Sequence, residues 1–144
     1  MTSRRTFIAN AFAGTAAFCL DGVPALAGDG HPDPRWHAAA VRMQRLAESW
    51  NDQRYGAVVV AGDAVVGDGP SRVIREANPD AHAERVAILD AQRRLGRQSL
   101  FGAVLYSTSR PCPACETAAF RAGIARMYFG PSLQDAGKPV DRTG

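Results

Sequence analysis

The chain has 144 residues, a formal charge of +3 from 17 basic and 14 acidic residues, and three cysteines. That length allows one domain around one core. The few cysteines exclude a disulfide framework, and the scattered arginines leave no stripe for binding a polyanion.

The chain opens with Ser3-Arg4-Arg5-Thr6-Phe7-Ile8, a twin-arginine motif, followed by a charge-poor stretch from Ala9 to Leu20 and then Ala25-Leu26-Ala27, a small-residue cleavage site. Residues 1–27 are therefore expected to be a twin-arginine signal peptide and the mature protein to be periplasmic or otherwise exported, with no stable membrane anchor after cleavage. The apolar run is short for a membrane span, and it contains Asn10 and Gly14 before ending at Asp21, Gly22 and Pro24. Cys19 follows the bulky Phe18, unlike a lipoprotein cleavage box. Cleavage after Ala27 leaves 117 residues with 15 basic and 13 acidic side chains, a net charge of +2, and only Cys112 and Cys115 as thiols. In an oxidising compartment an empty C-x-x-C tends to close into a disulfide, and a ligand held by both thiols before export of the folded protein would protect it.

Residues 28–32 read as a flexible leader. Asp33 and Pro34 then suit the N-cap and first position of a helix whose apolar stripe is Trp36, Ala40, Met43, Ala47 and Trp50. Tyr55 to Ala61 is a buried-strand run, Gly62-Asp63 a turn, and Ala64 to Gly67 the returning strand. Asn78-Pro79 repeats the cap pattern, predicting a second helix that ends near Leu95 before Gly96. Arg93, Arg94 and Arg97 at its end complement the helix dipole. Strands over 103–108 and 125–130 flank a third helix from about Pro113 to Ala122. This alternation predicts an α/β fold with a mixed sheet covered by helices on both faces.

Two clusters carry chemistry: His82-Ala83-Glu84 and Pro111-Cys112-Pro113-Ala114-Cys115. They supply one imidazole, two thiols and one carboxylate not needed as a ligand, the inventory of a catalytic zinc site. His82, Cys112 and Cys115 would hold one Zn²⁺ per chain and leave a fourth position for water, whose pKa falls toward neutral on zinc. Glu84 would then be the proton shuttle for the attacking water. His82 and Glu84 are two positions apart, so in mid-helix their side chains would point to roughly opposite sides, but at a helix start they can converge beyond its end. The cysteines at i and i+3 share one face at the start of the next helix, where the dipole favours thiolate.

The pattern H-x-E followed by P-C-x-x-C resembles the zinc deaminases that act on nucleobases, the cytidine/deoxycytidylate deaminase superfamily. The likeness spans about Trp36 to Gly130, placing the deaminase domain at 33–130 and a short tail at 131–144. It includes Gln53-Arg54-Tyr55-Gly56-Ala57-Val58, Leu105-Tyr106-Ser107-Thr108 and Ile124-Ala125-Arg126-Met127-Tyr128-Phe129-Gly130. It implies a three-layer α/β/α sandwich with a mixed central sheet, often dimeric, so a homodimer is among the expected partners. It also implies hydrolytic deamination of a nucleobase or small nucleoside, with the Ala83 backbone N–H meeting a ring carbonyl. Purine- and nucleoside-binding members carry Asn where this chain has Gly69-Pro70-Ser71-Arg72, so Ser71 is expected to substitute a shorter hydroxyl. Guanine-type members carry Trp in the third helix where Arg121 stands. Because the chain ends soon after the fourth strand, the family's closing C-terminal strand and helix are expected to be absent.

Four readings compete with the small-molecule deaminase. A deaminase of RNA or single-stranded DNA would need a basic channel that the scattered charge does not supply. A non-catalytic zinc domain would retain metal without turnover. A structural zinc site would recruit His31 or His37 as a fourth ligand. A redox C-x-x-C would need a thioredoxin-like fold.

Overall fold

The computed structural model describes residues 31–144, so the expected signal peptide lies outside the described residues. Helix α1 (Pro34–Ser49) starts as its caps predict: the Asp33 carboxylate accepts from the Arg35 N–H and Pro34 occupies the first turn. Strands β1 (Gly56–Ala61) and β2 (Ala64–Pro70) form an antiparallel hairpin. Helix α2 (Ala83–Leu95), strand β3 (Val104–Ser107), helix α3 (Pro113–Ala122) and strands β4 (Arg126–Phe129) and β5 (Gln134–Gly137) complete the order.

The five strands run β2-β1-β3-β4-β5 across one mixed sheet, parallel only between β3 and β4. The two-residue alternation of a strand divides them cleanly between faces. Val58, Val60, Tyr106 and Tyr128 point toward α1 and pack with Ala39, Ala40, Trp36 and Met43. Ala57, Val59, Leu105 and Met127 point the other way, toward α2 and α3, with Ala83, Ala87, Ala91, Ala119 and Ala122. The architecture is thus the expected three-layer α/β/α sandwich.

Small residues set how closely α2 approaches the sheet. A Cβ added to Gly69 would lie 2.1 Å from the Ala83 carbonyl oxygen and 2.6 Å from the Ala87 Cβ; one added to Gly67 would lie 2.2 Å from the Ala87 carbonyl oxygen. Helix backbone therefore rests directly on strand backbone, and Gly69 seats the first turn of α2.

Three expectations need correction. Helix α2 does not start at Asn78-Pro79: the Asn78 side chain accepts from the Asp80 N–H in an Asx turn, so that capping chemistry closes a loop. His82 is the N-cap instead. Trp50 is not part of the α1 stripe but follows the helix as its C-cap, its ring flanked by Arg72 and Arg75 at 5.3 and 4.4 Å. Finally, a strand does follow the fourth one. β5 pairs antiparallel with β4, and the chain beyond it folds back onto α3. There the Glu116 carboxylate accepts from the Val140 N–H and the Arg142 guanidinium, and Pro139 is fully buried. No helix follows β5 among the described residues.

Candidate active site

Two helix starts meet beside the end of β3. His82 caps α2 with an extended backbone (φ −63°, ψ 152°) and makes no side-chain cap bond, which leaves its ring available. Cys112 caps α3 in the same conformation (φ −71°, ψ 164°), with Pro113 in the first turn and its sulfur accepting from the Cys115 N–H. The positions of the three ligand residues are thus fixed by capping geometry, and two helix dipoles aim positive ends at the thiols.

His82 Nδ1 lies 3.5 Å from Cys112 Sγ and 3.4 Å from Cys115 Sγ, and the two sulfurs are 3.2 Å apart. A disulfide would need about 2.05 Å, and both cysteines are free thiols. Around a tetrahedral zinc, with bonds of about 2.0 Å to nitrogen and about 2.3 Å to sulfur, ligand atoms lie roughly 3.5–3.8 Å apart. The observed triangle is close to that, and its donor set of one imidazole and two thiols suits zinc. Among the described residues this is the one such group, and neither His31 nor His37 belongs to it. Burial, with the nearby Glu84 charge and Cys112, pushes the Cys115 thiol well above the ordinary thiol range. In the metal-free protein Cys115 therefore keeps its proton, which metal binding must release.

Glu84 stands one residue inside α2 and is buried. Its Oε1 accepts a 2.7 Å hydrogen bond from the Ser107 hydroxyl at the end of β3. Ala83, fully buried, occupies the first helical position, where a backbone N–H has no intrahelical acceptor. These groups open onto a cavity of about 410 Å³ lined by Gln53, Tyr55, His82, Ala83, Glu84, Ser109, Arg110 and Cys112. That volume lies in the range of small-molecule sites. A second cleft, between α1 and α2, contains Asp68, Asp90 and Glu76, but each of these carboxylates is paired with an arginine.

Ser71 is placed otherwise than expected. It is fully buried, donates its hydroxyl to Asp52 Oδ1 at 3.0 Å, and is not among the cavity-lining residues. Arg121 lies on the exposed side of α3, hydrogen-bonded to Thr143. Two buried residues escaped the sequence reading. Asp52 accepts from Ser71, from the Gln53 N–H at 2.7 Å, and from the Ile74 and Arg75 N–H groups at 3.1 and 2.8 Å. Burial alone would raise its pKa, but these four donors outweigh it and hold the carboxyl below the usual range. Asp52 thereby ties the loop after β2 to the loop after α1. Ser107 is the second, and its signal was present: an inward-facing polar residue in an otherwise apolar strand.

A mixed sheet between helices, with an imidazole and two thiols gathered at two helix starts beside a buried glutamate, defines the class of zinc-type deaminases. The sequence profile of the cytidine and deoxycytidylate deaminase zinc-binding region matches residues 31–131, and the chain belongs to that family. It is similar to a tRNA-specific adenosine deaminase of Buchnera aphidicola, 32% identical over 106 residues that cover 74% of this chain and 70% of the relative. It is also similar to guanine deaminase of Bacillus subtilis, 34% identical over 82 residues, 57% of this chain and 53% of the relative. The chain thus spans about half the length of the second relative. A solved structure from a study of A-to-I editing by tRNA:A34 deaminases superimposes with a TM-score of 0.64 and 33% identity, covering 66% of this chain and 73% of the other.

Proposed function

We propose that the protein is a hydrolytic deaminase of a free nucleobase or small nucleoside. The observation that carries this reading is the cavity of about 410 Å³ lined by His82, Cys112, Glu84 and Ala83, with the third ligand residue, Cys115, buried against the first two. Zinc, when bound, supplies Lewis-acid activation of a water nucleophile at neutral pH.

The remaining work belongs to the chain. The Ala83 N–H donates to a ring carbonyl and orients the base with its amidine carbon toward the triad. Glu84 accepts a proton from the attacking water and passes it to the ring nitrogen. It then carries the second proton to the departing amino group. The new C–O bond replaces the C–N bond, and ammonia leaves. Tyr55 and Arg110 at the mouth offer an aromatic face and a cation to the rest of the substrate.

Similarity to a guanine deaminase supports a free base, and similarity to a tRNA-specific adenosine deaminase supports an RNA substrate. The near-neutral charge expected of the mature chain, +2, favours the small substrate, because polyanion binding draws on many phosphate contacts. The test compares initial rates on guanine, adenine, cytosine and their nucleosides with rates on tRNA and single-stranded DNA at physiological salt. A small compound is expected to be turned over fastest; faster turnover of either polymer refutes the reading. Export is the second part of the proposal and rests on Arg4-Arg5 and Ala25-Leu26-Ala27. The periplasmic protein should begin at Gly28, and a cytoplasmic chain retaining Met1 in the native host would refute export.

A further inference from the structure

We infer that Ser107 is a positioning residue for Glu84, holding one carboxylate oxygen so that the other carries the shuttled proton. This rests on the deaminase reading above and assigns a role to a residue outside both sequence clusters.

The argument starts from the strand. Ser107 has the same parity as Leu105, so its side chain faces α2 and α3, where Leu105 packs in the core. It is fully buried. Its backbone is held from both sides: it pairs with Ala57 of β1 and Phe129 of β4, and its carbonyl accepts from the Gly130 N–H at 3.0 Å. A side chain on such a central strand is a rigid anchor. α2 is equally constrained, since Gly69 seats Ala83 immediately before Glu84. The 2.7 Å bond between Ser107 and Glu84 therefore joins two fixed elements.

The hydroxyl has one proton and gives it to Glu84 Oε1, while its oxygen lies 3.4 Å from the Ser109 N–H. A proton placed on Oε1 would confront the serine proton and force it away from its acceptor inside a buried site, an arrangement a buried hydroxyl resists. Oε1 is thus the permanent acceptor. Oε2 is the oxygen that receives the proton from water and returns it to the ring nitrogen. Ser107 touches neither substrate nor metal ligand in this scheme, and it acts through Glu84 alone.

Thr and Val have nearly the same volume and differ by the hydroxyl, so Ser107→Thr and Ser107→Val test the role without depending on whether Ser107→Ala folds. With the zinc-loaded enzyme and the best small substrate of the panel, Ser107→Val should lower kcat roughly 10- to 100-fold, leave KM within about twofold and keep one zinc per chain. Ser107→Thr should restore kcat to within a few-fold of wild type. In a Glu84→Gln background, adding Ser107→Val should cause no further loss, because the partner it serves is already gone. A crystal structure of Ser107→Val should show the Glu84 carboxylate turned from its native position. An active wild type with undiminished kcat in Ser107→Val, or equal losses in the Thr and Val variants, overturns the role of Ser107 alone. A wild type that turns over nothing in the panel overturns the deaminase reading itself.

Discussion

The two faces of the sheet differ in their balance of large and small residues. Toward α1 one close approach, of Gly56 to the helix backbone beside Ala39 and Ala40, is surrounded by the large side chains Trp36, Met43, Tyr106 and Tyr128, the last two with ring centroids 5.4 Å apart. Toward α2 and α3 the contacts are mostly alanines, with glycines of β2 beneath them, and the buried polar groups Glu84, Ser107 and Cys115 gather there. The difference separates two requirements. A face of large residues gains stability from apolar area. A face of small ones brings helix backbone so close to the strands that short side chains such as serine and cysteine can meet across the gap, and that proximity is what the site needs.

Removing the chemistry while leaving the packing should have the largest effect. Glu84→Gln should lower kcat by roughly 10²- to 10⁴-fold and keep its zinc, whereas Cys112→Ala should lose metal and activity together. Metal analysis beside initial rates reads both, and equal zinc loss in the two variants would show that Glu84 belongs to the ligand set.

A smaller effect should follow from prying the small-residue face apart. Gly69→Ala places a methyl group 2.1 Å from the Ala83 carbonyl oxygen, so α2 must shift. The expected cost is about 3 kcal/mol of stability, with a kcat loss on the order of 100-fold as Glu84 leaves its place. Denaturant titration and steady-state kinetics check it; unchanged kcat would mean the glycines matter for packing only.

The smallest of the three effects concerns Asp52, the buried carboxylate that ties the loop after α1 to the loop after β2. Asp52→Ala removes the acceptor of three backbone N–H groups and of the buried Ser71 hydroxyl and should cost about 2 kcal/mol. Because its folded pKa is depressed, its contribution is present above the unfolded value of about 3.9 and is lost as pH falls through the folded one. Urea midpoints should therefore separate wild type and variant at pH 7 and draw together below about pH 4. A gap that does not narrow would assign the effect to packing.

Much of this was legible in the sequence, for physical reasons that differ from residue to residue. The strands and the stripe of α1 were readable because burial imposes a period, and α3 because Pro113 and Gly123 mark its ends. The ligands stood out because His82, Cys112 and Cys115 have few other uses at that spacing. What escaped depended on tertiary partners. Asn78 could cap a helix or close a turn, and only the neighbouring Asp80 N–H decides. Ser71 carries the same hydroxyl whether it faces a cavity or Asp52. The short strand β5, Gln-Asp-Ala-Gly, has little strand propensity of its own and is held as an edge beside β4, where Asp135 pairs with Arg126.

The returning C-terminal segment has a mechanical consequence. Glu116 follows Cys115 directly, and residues 140 and 142 grip its carboxylate. Arg142 also donates its backbone N–H to Thr117 at 2.9 Å. The first turn of α3 is thus clasped from outside while its cysteines point inward, like a hinge pin held by a keeper. Motions that would splay the two thiols have to lift the last residues of the chain as well, so the segment farthest along the chain stiffens the metal-binding turn.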